Sequence, residues 1–234
     1  MNLEAVLHQW RIEDREYVRH ETRRGRRHAF AEITAERTAL VVVDMVPFFV
    51  DANPFARGVV PNINRLAEAI RAAGGSVAWV LPAPSPMATY REFFGEIVSA
   101  RYQDSGGDGP LQGRLATGLS AQSNDIYVEK TSASAFFPGR CDLSDHLQQR
   151  DIATVIVVGT VANVCCESTV RDASTLGYRT IMVADASAAV RDEDLNATLH
   201  TVYRSFGDVR TTDELMSLIW STQNGAGPSE TESG

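Results

Sequence analysis

A chain of 234 residues with 44% hydrophobic content is long enough to close one large core, and its net charge of -8 argues against broad attraction to nucleic acid or anionic membrane. No stretch approaches the ~18 apolar residues of a membrane span, and Glu4, His8, Arg11, Glu13 and Asp14 break up any apolar leader. Three cysteines, two of them adjacent, make a poor disulfide framework, so a cytoplasmic protein with reduced thiols is expected.

Residues 1–32 are charged, and Leu3, Val6, Leu7 and Trp10 at helical spacing predict a short amphipathic helix. It leads into an irregular arm that docks on the main body or on a partner subunit. The basic run Arg23-Arg24-Gly25-Arg26-Arg27-His28 reads as a solvated or interface segment of an acidic protein, not a nucleic-acid patch. Residues 33–221 are expected to form one domain, in which apolar strand-like runs alternate with helix-like segments. That alternation predicts an α/β fold, a three-layer doubly wound sheet, mostly parallel, of about six strands with helices on both faces.

Thr38–Asp44 is the first strand, apolar on both faces and therefore central, with Asp44 as its last residue. Pro61–Ala73 is a helix stopped by Gly74-Gly75, and Ser76–Leu81 a second strand. From Pro82 to Asn124 no single period holds: Pro82, Pro84 and Pro86 stiffen a loop, Tyr90–Ala100 reads as a helix, and 105–110 (SGGDGP) as a turn. Insertions beyond a strand's carboxyl end usually shape the pocket. Asp125–Lys130 is a third strand, ending on Lys130, followed by a loop over Ser132–Phe137 and a helix over Asp142–Gln149. Val155–Val158 is a buried strand that stops at Gly159, after which the apolar spacing turns helical and places Cys165 on the first helical turn. Arg179–Ala184 is a fifth strand, Asp192–Phe206 a long helix, Asp208–Arg210 an edge strand and Thr212–Trp220 a last helix N-capped by Thr212. The small polar residues 222–234 are expected to be disordered.

Asp44, Lys130 and Cys165 thus fall at or just past the carboxyl ends of three predicted central strands, the edge where an open parallel sheet gathers its ligands. A thiol at a helix start is drawn toward thiolate by free N–H groups and the helix dipole. Lysine beside it adds to that, and aspartate within reach can take the thiol proton and pass it to a leaving amine. The bland alternatives are a small buried core cysteine and a capping aspartate.

The stretch GTVANVCCESTVRDA resembles the nucleophile motif of the isochorismatase-like cysteine hydrolases, with DMVPFF similar to their aspartate strand and EKTSASAFF to their lysine strand. The resemblance covers roughly Thr38–Trp220 and points to the amidohydrolase branch, including streptothricin hydrolase-like enzymes. It implies Asp44 as acid/base, Lys130 as the cation that sets the thiol's pKa, and Cys165 rather than Cys166 as nucleophile. It also implies a cis peptide at Thr160-Val161 and an oxyanion hole from the backbone N–H groups of Val161 and Cys165. The family's nicotinamidase branch builds a metal site on Asp-x-His, but here the segment is Asp51-Ala52-Asn53 and the second-strand position lacks histidine, so neither metal nor cofactor is expected.

The expected function is metal-independent hydrolysis of a C–N bond in a small amide through a thioester, most specifically a cationic lactam such as streptothricin. The cationic preference follows from Asp51, Glu92, Glu96, Asp104 and Asp108 in the insertions. A ureidoacrylate, carbamoyl or biuret-type amidohydrolase, a vinyl ether hydrolase using Asp44 alone, and a non-catalytic binding protein are the alternatives. The arm and the family likeness suggest a homodimer or larger homo-oligomer.

Overall fold

The computed structural model describes residues 4–85 and 89–224. Six strands form one sheet in the order β3-β2-β1-β4-β5-β6: β1 (Thr38–Val43), β2 (Ser76–Pro82), β3 (Ile126–Lys130), β4 (Thr154–Thr160), β5 (Arg179–Ala188) and β6 (Asp208–Arg210). All five pairings are parallel. The chain runs outward from β1 through β2 to β3, then returns to the other side of β1 as β4. This puts the topological switch point between β1 and β4, where such sheets open a crevice.

The alternating side chains of β1 explain the three layers. Leu40 and Val42 face the core shared with α4 (Val60–Ala72) and α9 (Thr212–Asn224). Val41 and Val43 face the core shared with α6 (Leu143–Gln148), α7 (Glu167–Thr175) and α8 (Asp192–Ser205). At the switch point β1 and β4 approach so closely that a Cβ on Gly159 would lie 2.2 Å from the Val43 carbonyl oxygen. Gly159 also has φ +112°, and the β4–β5 register shifts between Val157 and Gly159. Only glycine meets both demands.

Several local expectations are corrected. No helix runs through Val6, Leu7 and Trp10; the arm is irregular there, and its helix, α1, spans Asp14–Arg24, while Leu3 lies outside the described residues. The irregular part docks on this chain's own body: Val6 N–H donates to the Pro54 carbonyl, and the buried His8 ring stacks on Phe55 at 3.7 Å. The last helix is capped by Thr211, not Thr212. Thr211 Oγ1 accepts from Glu214 N–H and Thr211 N–H donates to the Glu214 carboxylate, a capping box, whereas Thr212 bonds to Asp185. That helix continues to Asn224, so residues 222–224 are helical, and the rest of the expected disordered tail, 225–234, lies outside the described residues, as does Pro86.

Two short helices, α2 (Pro47–Val50) and α3 (Pro54–Gly58), follow β1, each started by a proline in its first turn. The helix α5 (Thr89–Gln103) is interrupted at Gly95, whose φ of 74° and ψ of 166° are not helical. No helix among the described residues is long and apolar enough to cross a membrane.

Candidate active site

The residue after β1 is Asp44, turned into the left-handed region at φ 53°, with its N–H bonded to the Val80 carbonyl. This turn takes the chain off the sheet and leaves the carboxylate buried at the switch point, 1% exposed. Lys130 closes β3, two strands away, and is 3% exposed. Its long stem spans the gap: Lys130 Nζ lies 2.8 Å from Asp44 Oδ2, 3.4 Å from Cys165 Sγ and 3.1 Å from the Ser132 carbonyl oxygen. The three side chains singled out in the sequence are therefore one cluster, in which the ammonium pairs with the Asp44 carboxylate and donates to Cys165 and the Ser132 carbonyl.

Cys165 sits not on an ordinary first helical turn but in a π-helical turn, Ala162–Cys166, that precedes α7. Such turns recur at functional sites. The peptide bond Thr160-Val161, at the end of β4, is cis. Cys165 is partly exposed to the cavity beyond the sheet, whereas Cys166 is fully buried with its Sγ 3.9 Å from the Val158 carbonyl oxygen. Adjacent residues differ by about 100° around a helix, so only one thiol of the pair faces the opening.

Burial decides the resting protonation state. It pushes the Cys165 thiol up to about 12; the Asp44 charge adds to the rise, and Lys130 only partly opposes it. Burial and the Asp44 charge both push toward the thiol, against the thiolate expected from helix dipole and lysine. Burial also raises the Asp44 carboxyl, against the pull of Lys130 and the bond from Cys165, making its carboxylate a stronger base than one in water. For Lys130, burial acts against the charge, but Asp44 and Cys165 outweigh it and hold the ammonium above its ordinary range.

A cavity of about 230 Å³ opens over this cluster, with Val161, Val164 and Cys165 on one side. Its lining also includes the aromatic Phe49 from α2, and Tyr90, Phe94 and Tyr102 from α5. Gln103 and Ser105 add neutral polar groups to its lining, and Gln103 is tied to the loop after β2 by a 2.9 Å bond from Nε2 to the Ser85 carbonyl. None of Asp51, Glu92, Glu96, Asp104 and Asp108 lines the cavity, which corrects the charge expected of its wall. Sequence reasoning placed the wall in the right segments but did not name its rings. The aromatic density of DMVPFF and of Tyr90–Tyr102 was the available signal.

Among the described residues no group of three or more His, Cys, Asp or Glu is placed to hold a metal ion. Asn53, at the end of the segment where the resembled metal branch has its histidine, instead caps α3, its Oδ1 accepting from Phe55 N–H.

Known proteins share this architecture and sequence. The chain is 30% identical over 220 residues to the ureidoacrylate amidohydrolase RutB of Agrobacterium fabrum, spanning 78% of this chain and 90% of that one. The crystal structure of a cysteine hydrolase from Pseudomonas syringae pv. phaseolicola superposes with a TM-score of 0.72 at 30% identity, covering 83% of this chain and 97% of that one. An N-carbamoylsarcosine amidase from Thermoplasma acidophilum superposes at 0.62 with 27% identity, covering 76% and 97%. The isochorismatase domain model matches residues 38–214, a span that runs from the first residue of β1 into α9 and contains all three clustered side chains, and the chain belongs to the isochorismatase family.

Proposed function

We propose that the protein is a cysteine amidohydrolase that cleaves a C–N bond of a small non-peptide amide through a thioester on Cys165, without a metal. The observation that carries this reading is the contact of Lys130 Nζ with both Asp44 and Cys165 beneath an open cavity. Similarity to an amidohydrolase and an amidase supports the C–N bond as the one broken.

In this reading Cys165 Sγ attacks the amide carbon as Asp44 takes the thiol proton, so a thiolate never accumulates. The carbonyl electron pair moves to oxygen, which the N–H groups of Val161 and Cys165 receive. Asp44 then gives the proton to the departing nitrogen as the C–N bond breaks. Water, deprotonated by Asp44, attacks the thioester, and the proton returns to Sγ as the acid leaves. Lys130 keeps its proton throughout and offsets the charge on Asp44 and on sulfur.

The narrower expectation of a cationic lactam loses its motive, since the acidic insertion residues do not face the cavity. Cyclic amides, ureido acids and carbamoyl compounds belong together in the test panel. Turnover of at least one amide or ureide, read by mass spectrometry and lost by 1,000-fold or more in Cys165→Ala, is the expected result. A vinyl ether hydrolase would instead keep its rate without Cys165 and lose it in Asp44→Asn.

A further inference from the structure

The ammonium of Lys130 has three contacts, and two of them, Asp44 and Cys165, are the reacting groups of the amidohydrolase reading. The third is the Ser132 carbonyl oxygen at 3.1 Å. The contact with Cys165 Sγ, at 3.4 Å, is the longest, while the Asp44 carboxylate, at 2.8 Å, attracts the ammonium most strongly. An ammonium without a further anchor would settle on Asp44 and lose the sulfur first. A fixed backbone acceptor limits that drift, so the placement of Ser132 bears directly on Cys165.

What fixes Ser132 is the loop over residues 131–137 that follows β3. Thr131 N–H donates to the Arg140 carbonyl at 2.9 Å, Ser132 Oγ to the Ser134 carbonyl at 2.8 Å, and Phe136 N–H to Ser134 Oγ at 3.0 Å. A further bond ties the loop to α7: Ala135 N–H donates to Thr169 Oγ1 at 3.1 Å, with both residues fully buried. Thr169 lies four residues beyond Cys165, so the loop joins Lys130 to the helix that continues from the nucleophile's own turn. With Cys166, Val170 and Ala173 it completes a buried stripe at helical spacing. A hydroxyl there carries a desolvation cost that valine would not, and the Ala135 N–H is the group it serves.

We propose that Thr169 is a positioning residue: by holding Ala135 it locks the 131–137 loop, and through the Ser132 carbonyl it keeps the Lys130 ammonium within reach of Cys165. For turnover the proposal rests on the amidohydrolase reading; for the reactivity of the thiol it rests on these contacts alone.

The test is a double-mutant cycle on the full-length chain, read by iodoacetamide labelling of Cys165 with peptide mass spectrometry. Thr169→Val keeps the shape and deletes the acceptor, whereas Thr169→Ser keeps the acceptor. Thr169→Val should slow labelling about fivefold or more and Thr169→Ser less than about twofold, and in a Lys130→Ala background Thr169→Val should change the rate by less than about twofold. Equal slowing with and without Lys130, or no slowing at all, overturns the proposal, because a threonine that only supports the fold acts whether or not the ammonium is present. Should Thr169→Val not fold, Ser134→Ala, which removes the acceptor of Phe136 N–H and leaves α7 untouched, repeats the cycle with the same two outcomes. With an amide that the wild type cleaves, Thr169→Val should lower kcat about fivefold or more and leave KM within about twofold, and a rise in KM alone would overturn the proposal. Labelling that follows the cycle in a protein that cleaves no amide would count against the amidohydrolase reading alone.

Discussion

Asp44, Lys130 and Cys165 balance burial against charge. A buried thiol is a poor nucleophile unless its proton has somewhere to go, and the carboxylate at the end of β1 is that place. Lys130 is the one neighbour that lowers the thiol's pKa, so Lys130→Ala should raise it further. Iodoacetamide labelling of Cys165 should accordingly rise with pH beyond 10 without a plateau near 8.5, and should slow further at every pH in Lys130→Ala. A plateau near 8.5 in the wild type, or no change on removing Lys130, would contradict this. Since burial raises Asp44, the acid limb of kcat/KM should lie above the usual carboxylate range, with activity lost as pH falls through it. These three residues were legible as candidates because each lies at or just past the carboxyl end of a strand. Their contact was not, because the order β3-β2-β1-β4 must be known before Lys130 can be seen to reach across to Cys165.

The elements hold that cluster through the close approach of β1 and β4 at Gly159. A methyl group there would meet backbone, which cannot yield as a flexible side chain can, and the positive φ adds to the cost. Gly159→Ala should lower stability by about 2–4 kcal/mol, read from the urea midpoint, and should displace the turn carrying Cys165. An unchanged midpoint would show that the two strands are not so tightly opposed. The strands were easy to read because β-branched runs such as Val41–Val43 and Val155–Val158 are short, apolar and ended by turn residues. The helices α2 and α3 and the π turn escaped, since four or five residues carry no measurable period. The arm misled for a different reason. Of its apolar residues at helical spacing, Val6 and Leu7 stay exposed and Trp10 packs on the body; docking uses the Val6 backbone, His8 and the buried Ile12, while the true helix α1 buries the polar Glu16 and His20.

Across the whole molecule, the arm is clasped to the far edge of the sheet. His28 Nδ1 lies 3.1 Å from Asp208 Oδ1 and Nε2 3.5 Å from Glu214 Oε1, while Arg210 donates to the Phe30 carbonyl at 2.6 Å. Burial works against the His28 charge, yet Asp208 and Glu214 outweigh it and raise its pKa. Glu214 is drawn down to about 2, chiefly by His28. A raised histidine contributes stability that is fully present below about 6.5 and is lost as pH climbs through the folded value, whereas a lowered glutamate contributes above about 4.5 and fades as pH falls toward 2. The clasp is therefore strongest between about pH 4.5 and 6.5. His28→Gln should lower Tm more at pH 5.5 than at pH 8.5, and an equal loss at both would show that His28 holds the arm by packing and not by charge.

The central claim is that Cys165 becomes acylated, and intact-protein mass spectrometry of enzyme quenched in mid-turnover tests it most directly. With an amide that the wild type cleaves, the expected result is a mass gain equal to the substrate less its departing amine, on the peptide containing Cys165, absent in Cys165→Ala and preserved in Cys166→Ser. Turnover at the wild-type rate with no adduct on Cys165, continuing in Cys165→Ala, would contradict the covalent mechanism.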